Sequence, residues 1–249
     1  MIPFAIYQGH NPGRILIDQK ENPQIVMMWT TVGYYFLFGE PSSMGDSQSI
    51  SQILTDVFIP ASQAMGENGF ILIPSSPAWK SIIPTLLPGR KVIEIYRKPF
   101  VFNLESFQNK RNEVSQISPG FHIQTIDQLT AENIGVLSSW SSIDAFLTNG
   151  IGFMILKGEE LVSTCFSIFS SSKKVEIDVH TNEKYRRKGL AKFICSLFIE
   201  KCIELNKIPN WECFWDNEPS LNMADKLGFV SQDAYPVFYW EEESPKSHN

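Results

Sequence analysis

No CxxC pair and no HExxH run occurs in this sequence. Its four cysteines (Cys165, Cys195, Cys202 and Cys213) and its four histidines are scattered. That spacing signals neither a zinc site nor a disulfide framework, so no metal is expected and the thiols are expected to be reduced, as in a cytoplasmic protein. Long hydrophobic runs are also missing. The longest, Ile25 to Phe38, has fourteen residues and is interrupted by Thr30, Thr31 and Gly33. It is too short to span a bilayer, and its pattern predicts a buried β-hairpin. The opening "MIPFAIYQGHNPGR" lacks a basic start followed by an apolar core, so no secretory signal is expected. Nor is there an excess of positive charge. The net charge of −6 argues against a general attraction to nucleic acid or to an anionic membrane. No internal repeat or low-complexity segment is visible.

What is present is an ordinary globular composition, with 43% hydrophobic and 19% charged residues. The 249 residues suffice for one large domain or two smaller ones, each able to bury a core. Up to about residue 102, strand and helix patterns alternate. "ILID", the Ile25–Phe38 run, "GFILIP" and "KVIEIYRKPFVF" read as strands, and "DSQSISQILTDVFIPASQAM" and "SPAWKSIIPTLL" as helices. Between Asn103 and Gly120 the sequence turns polar, loses core periodicity and ends in Pro-Gly, which predicts a boundary. The expected domains are 1–118, a smaller α/β unit, and 119–242, with a disordered tail at 243–249. The second half reads as strand "FHIQTI", a helix from near Asp127, a loop-rich stretch to Gly150, then strands "GFMILK", "LVSTCFSIF" and "KVEIDVHT". A helix from about Arg187 to Leu205, strand "NWECFW", short helix "EPSLNMADKLG" and closing strand "VFYW" complete it. The fold class is α/β with a mixed α+β sheet.

The stretch "VEIDVHTNEKYRRKGLAKFICSLF" concentrates charge where a strand becomes a helix. Lys184, Arg186, Arg187 and Lys188 precede Gly189, and Leu190, Phe193, Ile194, Leu197 and Phe198 then mark one apolar helical face. The first amides of that helix have no intrahelical partner, and its dipole adds partial positive charge there. Glycine lets a ligand approach the backbone closely. Together these features describe a phosphate cradle in an otherwise acidic chain.

At these residues the sequence resembles the GCN5-related N-acetyltransferases. "YRRKGLA" fits the Arg/Gln-x-x-Gly-x-Gly/Ala signature with Arg186, Gly189 and Ala191 at the defining positions. Downstream, "NEPSLNMADKLGF" is similar to the family's second motif, an Asn followed by a short helix ending in Leu-Gly-Phe. The resemblance covers residues 121 to 240, and the whole chain looks like a bacterial branch in which an α/β half precedes the acetyltransferase half. It implies acetyl-coenzyme A in a cleft where the fourth and fifth strands of the sheet, "KVEIDVHT" and "NWECFW", splay apart. The implied cofactor contacts are Val179 and Thr181 on the strand, Arg186, Arg187, Lys188, Gly189, Leu190 and Ala191 in the loop and helix start, and Asn217 and Ser220 beyond the fifth strand. Asn217 also fits the N-cap of its helix.

Along "KVEIDVHT", Val175, Ile177 and Val179 point one way and Glu176, Asp178 and His180 the other. Buried acids are costly unless partnered, so these two carboxylates, and after them the His180 imidazole, are candidates for a general base, in the order Glu176, Asp178, His180. The need for one is quantitative: deprotonating a lysine-like amine of pKa ~10.4 at pH 7 costs roughly 4.6 kcal/mol. A carboxylate serves only if burial raises its pKa or a water relays the proton. The family commonly supplies a general acid from a tyrosine seven residues after the motif asparagine, a position occupied here by Ala224. Tyr235 and Tyr239 are the substitutes in reach of the sequence. Trp211, Trp215, Cys195 and Cys202 read as packing.

The expected activity is transfer of an acetyl group from acetyl-coenzyme A to the amine of a small-molecule or peptide acceptor, by direct attack in a ternary complex. The acceptor pocket is expected to be built from loops around Trp140 to Asn149 and the face of the fourth strand, with a contribution from the first domain left open. The alternative is an acyl-coenzyme A sensor or partner module with little turnover, which Ala224 favours; a nucleic-acid contact at "KYRRK" is a weak third. No nucleic-acid or membrane partner is expected, and a homodimer is left open.

Overall fold

A computed structural model describes residues 1–41, 44–111 and 117–242 of the chain. The expected disordered tail, 243–249, lies outside them, as do residues 112–116 of the expected boundary segment. Along the first part run α1 (Ile2–Tyr7), β1 (Gly13–Ile17), β2 (Val26–Thr30), β3 (Tyr34–Phe38), α2 (Met44–Ile53), α3 (Ile59–Gln63), β4 (Gly69–Pro74), α4 (Ile83–Leu86) and β5 (Ile93–Phe102). Then follow α5 (Leu104–Arg111), β6 (Phe121–Thr125), α6 (Gln128–Asn133), α7 (Ile143–Asn149), β7 (Gly152–Lys157), β8 (Glu160–Ser170) and β9 (Lys174–Thr181). The last elements are α8 (Leu190–Glu204), β10 (Ile208–Phe214), α9 (Glu218–Lys226), β11 (Phe229–Ser231) and β12 (Tyr235–Glu241). The fold is mixed α/β. It divides into two compact units, each discontinuous in sequence: Met1–Asn11 with Arg97–Ala234, and Pro12–Tyr96 with the described residues from Tyr235 onward.

In the unit holding Pro12–Tyr96, β1, β2 and β3 form an antiparallel meander, and the predicted hairpin is β2–β3. It turns at Gly33, with φ +74°, where a Cβ would lie 2.5 Å from the Gly69 carbonyl oxygen, so only glycine fits. A crossover through α2, a π-helical stretch at Leu54–Phe58 and α3 brings β4 parallel to β3. β12 pairs with β4 on its other side, Phe238 opposite Leu72. The inward residues of these strands, among them Met27, Tyr35, Leu37, Phe70 and Trp240, bury a core with Leu54, Phe58 and Trp79.

In the other unit β6, β7, β8 and β9 form an antiparallel meander, and α8 carries the chain to β10, parallel to β9. β10 then pairs antiparallel with β5, Trp211 opposite Phe100, and β11 adds to β5. Both units therefore run through one order of elements: an antiparallel meander, a parallel crossover over helix, then a further helix. No repeat is visible in the sequence because the likeness is one of topology.

The two faces of the β6–β10 sheet bury different cores. Val175, Ile177 and Val179 pack with Leu190, Ile194, Phe198 and Cys202 of α8. On the other face Phe166 and Met154 pack with Ile126, Ala131, Val136, Trp140 and Phe146. The four cysteines are free and buried. Three helices were not expected: α1, α5 and α7. α5 lies in the polar segment read as a boundary, where Phe107 alone is buried, too little to make a period. Its backbone is fixed instead by Asn103, whose side chain accepts from the Ser106 amide at 2.8 Å. α7 begins at Ser142, which accepts from the Ala145 amide at 3.0 Å, inside the stretch read as loop.

Candidate active site

β9 and β10 run parallel but pair over three residues only, Ile208 with Lys174, Pro209 with Val175 and Asn210 with Glu176. Beyond that point each strand is held by its other neighbour. Trp211 to Phe214 pair with β5, and the remainder of β9 pairs with β8. Past that rung Ile177–Thr181 and Trp211–Phe214 no longer pair with each other, and the gap in the ladder between them is the candidate cleft. The corresponding crossover in the other unit has no such opening: β3 and β4 pair from Tyr34–Ile71 to Leu37–Pro74, and the Ser75 amide extends the ladder to Leu37.

Glu176 stands at the apex of this cleft, 8% exposed, and accepts a hydrogen bond from Asn210 Nδ2 at 2.6 Å. Burial, and then the neighbouring Glu212 charge, push its carboxyl up to about 7, against the opposing influence of Asn210, the Met1 ammonium and Arg97. Arg97 Nε donates to Glu212 Oε1 at 2.9 Å, and its guanidinium lies 4.9 Å over the Phe214 ring. Asp178 and His180 follow Glu176 on the same face. Asp178 lies opposite Phe166 and His180 opposite Thr164 on β8. Burial raises the Asp178 carboxyl, with His180 and then the Val179 backbone amide opposing. These two side chains, with Asn133, Ile134 and residues of β8, line a cavity of about 290 Å³.

The loop between β9 and α8 is open to solvent at Arg186, Arg187, Lys188 and Gly189. α8 begins at Leu190, with Gly189 as N-cap; the helix expected from Arg187 starts three residues later, because Arg187 and Gly189 both take left-handed backbone, at φ 63° and 78°. No side chain caps α8, so its first amides are not satisfied from within. A Cβ on Gly189 would meet nothing within 4 Å. Left-handed positions two residues apart are a backbone feature shared with anion-binding nests. Arg186 braces the loop through Nε to Thr181 O at 3.2 Å and Nη1 to Glu183 at 3.1 Å. Lys188 sits 4.9 Å from the Tyr185 ring centre. Leu190 is buried in the core, and Thr181 Oγ1 hydrogen-bonds Ser163 Oγ at 2.7 Å.

At the far side of β10, Asn217 caps α9 by accepting from the Ser220 amide at 3.2 Å, and Ser220 Oγ accepts from Trp211 Nε1 at 3.1 Å. Ala224 is fully buried in the same core as Phe229 and Leu227. Tyr239 belongs to β12, opposite Ile71, and its hydroxyl donates to Glu241. Among the described residues no group of three or more His, Cys, Asp or Glu side chains could hold a metal ion, and no helix is long and apolar enough to cross a membrane.

Of the segments expected to build the acceptor pocket, the face of β9 lines this cavity through Asp178 and His180, whereas Trp140 and Phe146 are buried packing, T-shaped at 5.6 Å. The cavity uses the end of α6 and β8. Sequence reading also missed Asn210, Glu212 and Arg97. The alternation Asn210, Glu212, Phe214 against Trp211, Cys213 was the available signal for the first two. Arg97 had none, because its place depends on pairing with Phe214 across more than a hundred residues.

A family model described as GNAT acetyltransferase matches residues 1–238 of the chain. An uncharacterized N-acetyltransferase of Bacillus subtilis (strain 168), YdfB, is 28% identical over 242 residues, 95% of this chain and 88% of that one. The crystal structure of a GCN5-related N-acetyltransferase-like protein from Streptococcus suis 89/1591 superposes with a TM-score of 0.73 and 26% identity, over 95% of this chain and 92% of the other. A GCN5-related N-acetyltransferase from Kribbella flavida shares the fold, with a TM-score of 0.57 and 13% identity, over 95% and 93%.

Proposed function

The chain belongs to the GNAT acetyltransferase family, and from that premise we propose that it moves an acetyl group from acetyl-coenzyme A to an acceptor amine by direct attack in a ternary complex. The observation that carries this reading is the early end of β9–β10 pairing at Asn210–Glu176, which puts a buried carboxylate titrating near neutrality where the two strands cease to pair. The uncapped start of α8, the open space over Gly189 and the cationic side chains around it suit a diphosphate, and the free edge of β9 near Val179 suits an extended amide-bearing arm. Asn217 and Ser220 are the remaining proposed contacts. When bound, acetyl-coenzyme A supplies an activated thioester carbonyl.

The work left to the chain is to hold the amine, take its proton and orient the two reactants. Glu176 is the proposed base. Half-ionised near pH 7, it is better matched to an ammonium proton than an ordinary carboxylate would be. Asp178 and His180 stand behind it in that order. N–H groups on the free edge of β9 are suited to polarising an acyl oxygen, and juxtaposition supplies much of the acceleration. Residues 119–242 are proposed to carry this chemistry, in the cytoplasm, with no metal, nucleic acid or membrane required.

A second reading, an acyl-coenzyme A-binding module with little turnover, draws its support from Ala224, which leaves the family's usual acid position without a hydroxyl. Calorimetry with acetyl-coenzyme A and a thiol-release assay over an amine panel separate the two. Binding with release favours the enzyme. Binding with no release on any amine favours the module, and no binding removes both.

A further inference from the structure

The cavity beside β9 constrains the acceptor more tightly than the family does. Its volume of about 290 Å³ lies at the low end for a ligand pocket. Its lining contains one carboxylate, Asp178, and no Lys or Arg. An ammonium group therefore has one anionic partner, and a ligand bringing its own carboxylate or phosphate meets Asp178 with the His180 imidazole alone to offset it. A second ammonium on the same ligand finds no second acid in the lining.

The body of the ligand is constrained as well. Phe166 lies directly opposite Asp178 on the neighbouring strand, and Leu161, Val162 and Ile134 add aliphatic surface. Thr164, opposite His180, and Asn133, Ser163 and Asn182 are neutral hydrogen-bonding groups in its lining. Asp178 is two residues from Glu176 on the same face, about 6.6 Å along an extended strand, so an amine held at Asp178 lies beside the apex of the cleft.

Resting on the acetyltransferase reading above, we propose that the acceptor is a small primary monoamine with an apolar or aromatic body, its ammonium group anchored by Asp178 against Phe166. Amino acids, polyamines and lysine side chains of proteins are disfavoured acceptors of this site.

The test uses the full chain with 2-phenylethylamine as probe, compared with phenylalanine, 2-phenylethanol, spermidine and a lysine-containing octapeptide. Binding is measured by calorimetry on protein saturated with coenzyme A, and turnover by thiol release from acetyl-coenzyme A. The expected result is binding and acetylation of 2-phenylethylamine at least tenfold better, in Kd and in kcat/KM, than of phenylalanine, spermidine or the peptide, with no binding of the alcohol. Asp178→Asn, which keeps the side-chain shape, should raise KM for the amine at least tenfold and leave acetyl-coenzyme A affinity unchanged. Better use of the peptide or of phenylalanine overturns the proposal, as does an Asp178→Asn enzyme with the parent KM, or a protein that binds acetyl-coenzyme A yet neither binds nor acetylates the monoamine. Failure to bind acetyl-coenzyme A at all strikes the acetyltransferase reading itself, so the two failures are told apart.

Discussion

Asn210 donates its side-chain amide to Glu176 at the last paired rung between β9 and β10, so one hydrogen bond marks both the end of the ladder and the start of the cleft. That bond draws the Glu176 carboxyl toward ionisation while burial and Glu212 oppose it, and the balance settles at about 7. A base must be ionised to act, so turnover is expected to rise with pH through an inflection near 7. Glu176→Gln should lower turnover by about 10²-fold, the low end for loss of a general base, with acetyl-coenzyme A affinity retained. A pH–rate profile of the two proteins checks this; coincident profiles would remove Glu176 from the chemistry.

The same group sets a pH dependence of stability whose sign is fixed by its raised pKa. Below the ordinary carboxyl value of 4.5, Glu176 is protonated in both folded and unfolded chains, and its contribution to folding is fully present. As pH rises from 4.5 to about 7 the unfolded chain gives up this proton while the folded one keeps it, so stability falls, and the loss is complete once the folded carboxyl ionises. At ~1.4 kcal/mol per pH unit the loss attributable to this side chain is about 3 kcal/mol. Glu176→Gln has no such titration. Urea unfolding at pH 4.5 and pH 8 should show the variant gaining about that much relative to the parent at the higher pH, and an equal gap at both values would mean the carboxyl is not raised.

Legibility in the sequence followed the range of the interactions involved. The β2–β3 hairpin, α8 and the alternation along β9 are set within a few residues, by period and by Gly33 or Gly189, and were readable. α5 and α7 were not, since each is held by one cap and one large buried residue, Phe107 or Phe146, and shows no period. Strand partners were out of reach too. Nothing in "VFYW" says that Phe238 lies opposite Leu72, and nothing in β5 says that Arg97 belongs beside Phe214. The cleft itself was legible only through family resemblance, because it arises from what β9 and β10 each pair with on their far sides.

Gly189 allows a sharper separation of backbone strain from ligand contact. Its left-handed φ of 78° penalises any side chain by about 1–2 kcal/mol, yet a Cβ there would touch no protein atom. Gly189→Ala should therefore fold with a modest drop in Tm while losing acetyl-coenzyme A affinity by tenfold or more, because the added methyl occupies the space a phosphate needs. Calorimetry beside a thermal melt checks it. Full affinity in a correctly folded variant would place the diphosphate elsewhere.

Ala224 offers the complementary test, of whether a missing acid can be restored. The side chain is wholly buried, packed in the core that holds Leu227 and Phe229. A tyrosine introduced here has no cavity to enter, so Ala224→Tyr should cost about 1–3 kcal/mol by overpacking. Its hydroxyl gains nothing if the ring is forced out of the core, and turnover is expected to stay level or fall. A thiol leaving group of pKa about 8.5 departs without strong acid assistance, which is why the wild-type alanine is compatible with catalysis. Measuring kcat and Tm together decides the matter: a large gain in kcat at unchanged Tm would show that this chain lost a working acid and tolerates its return.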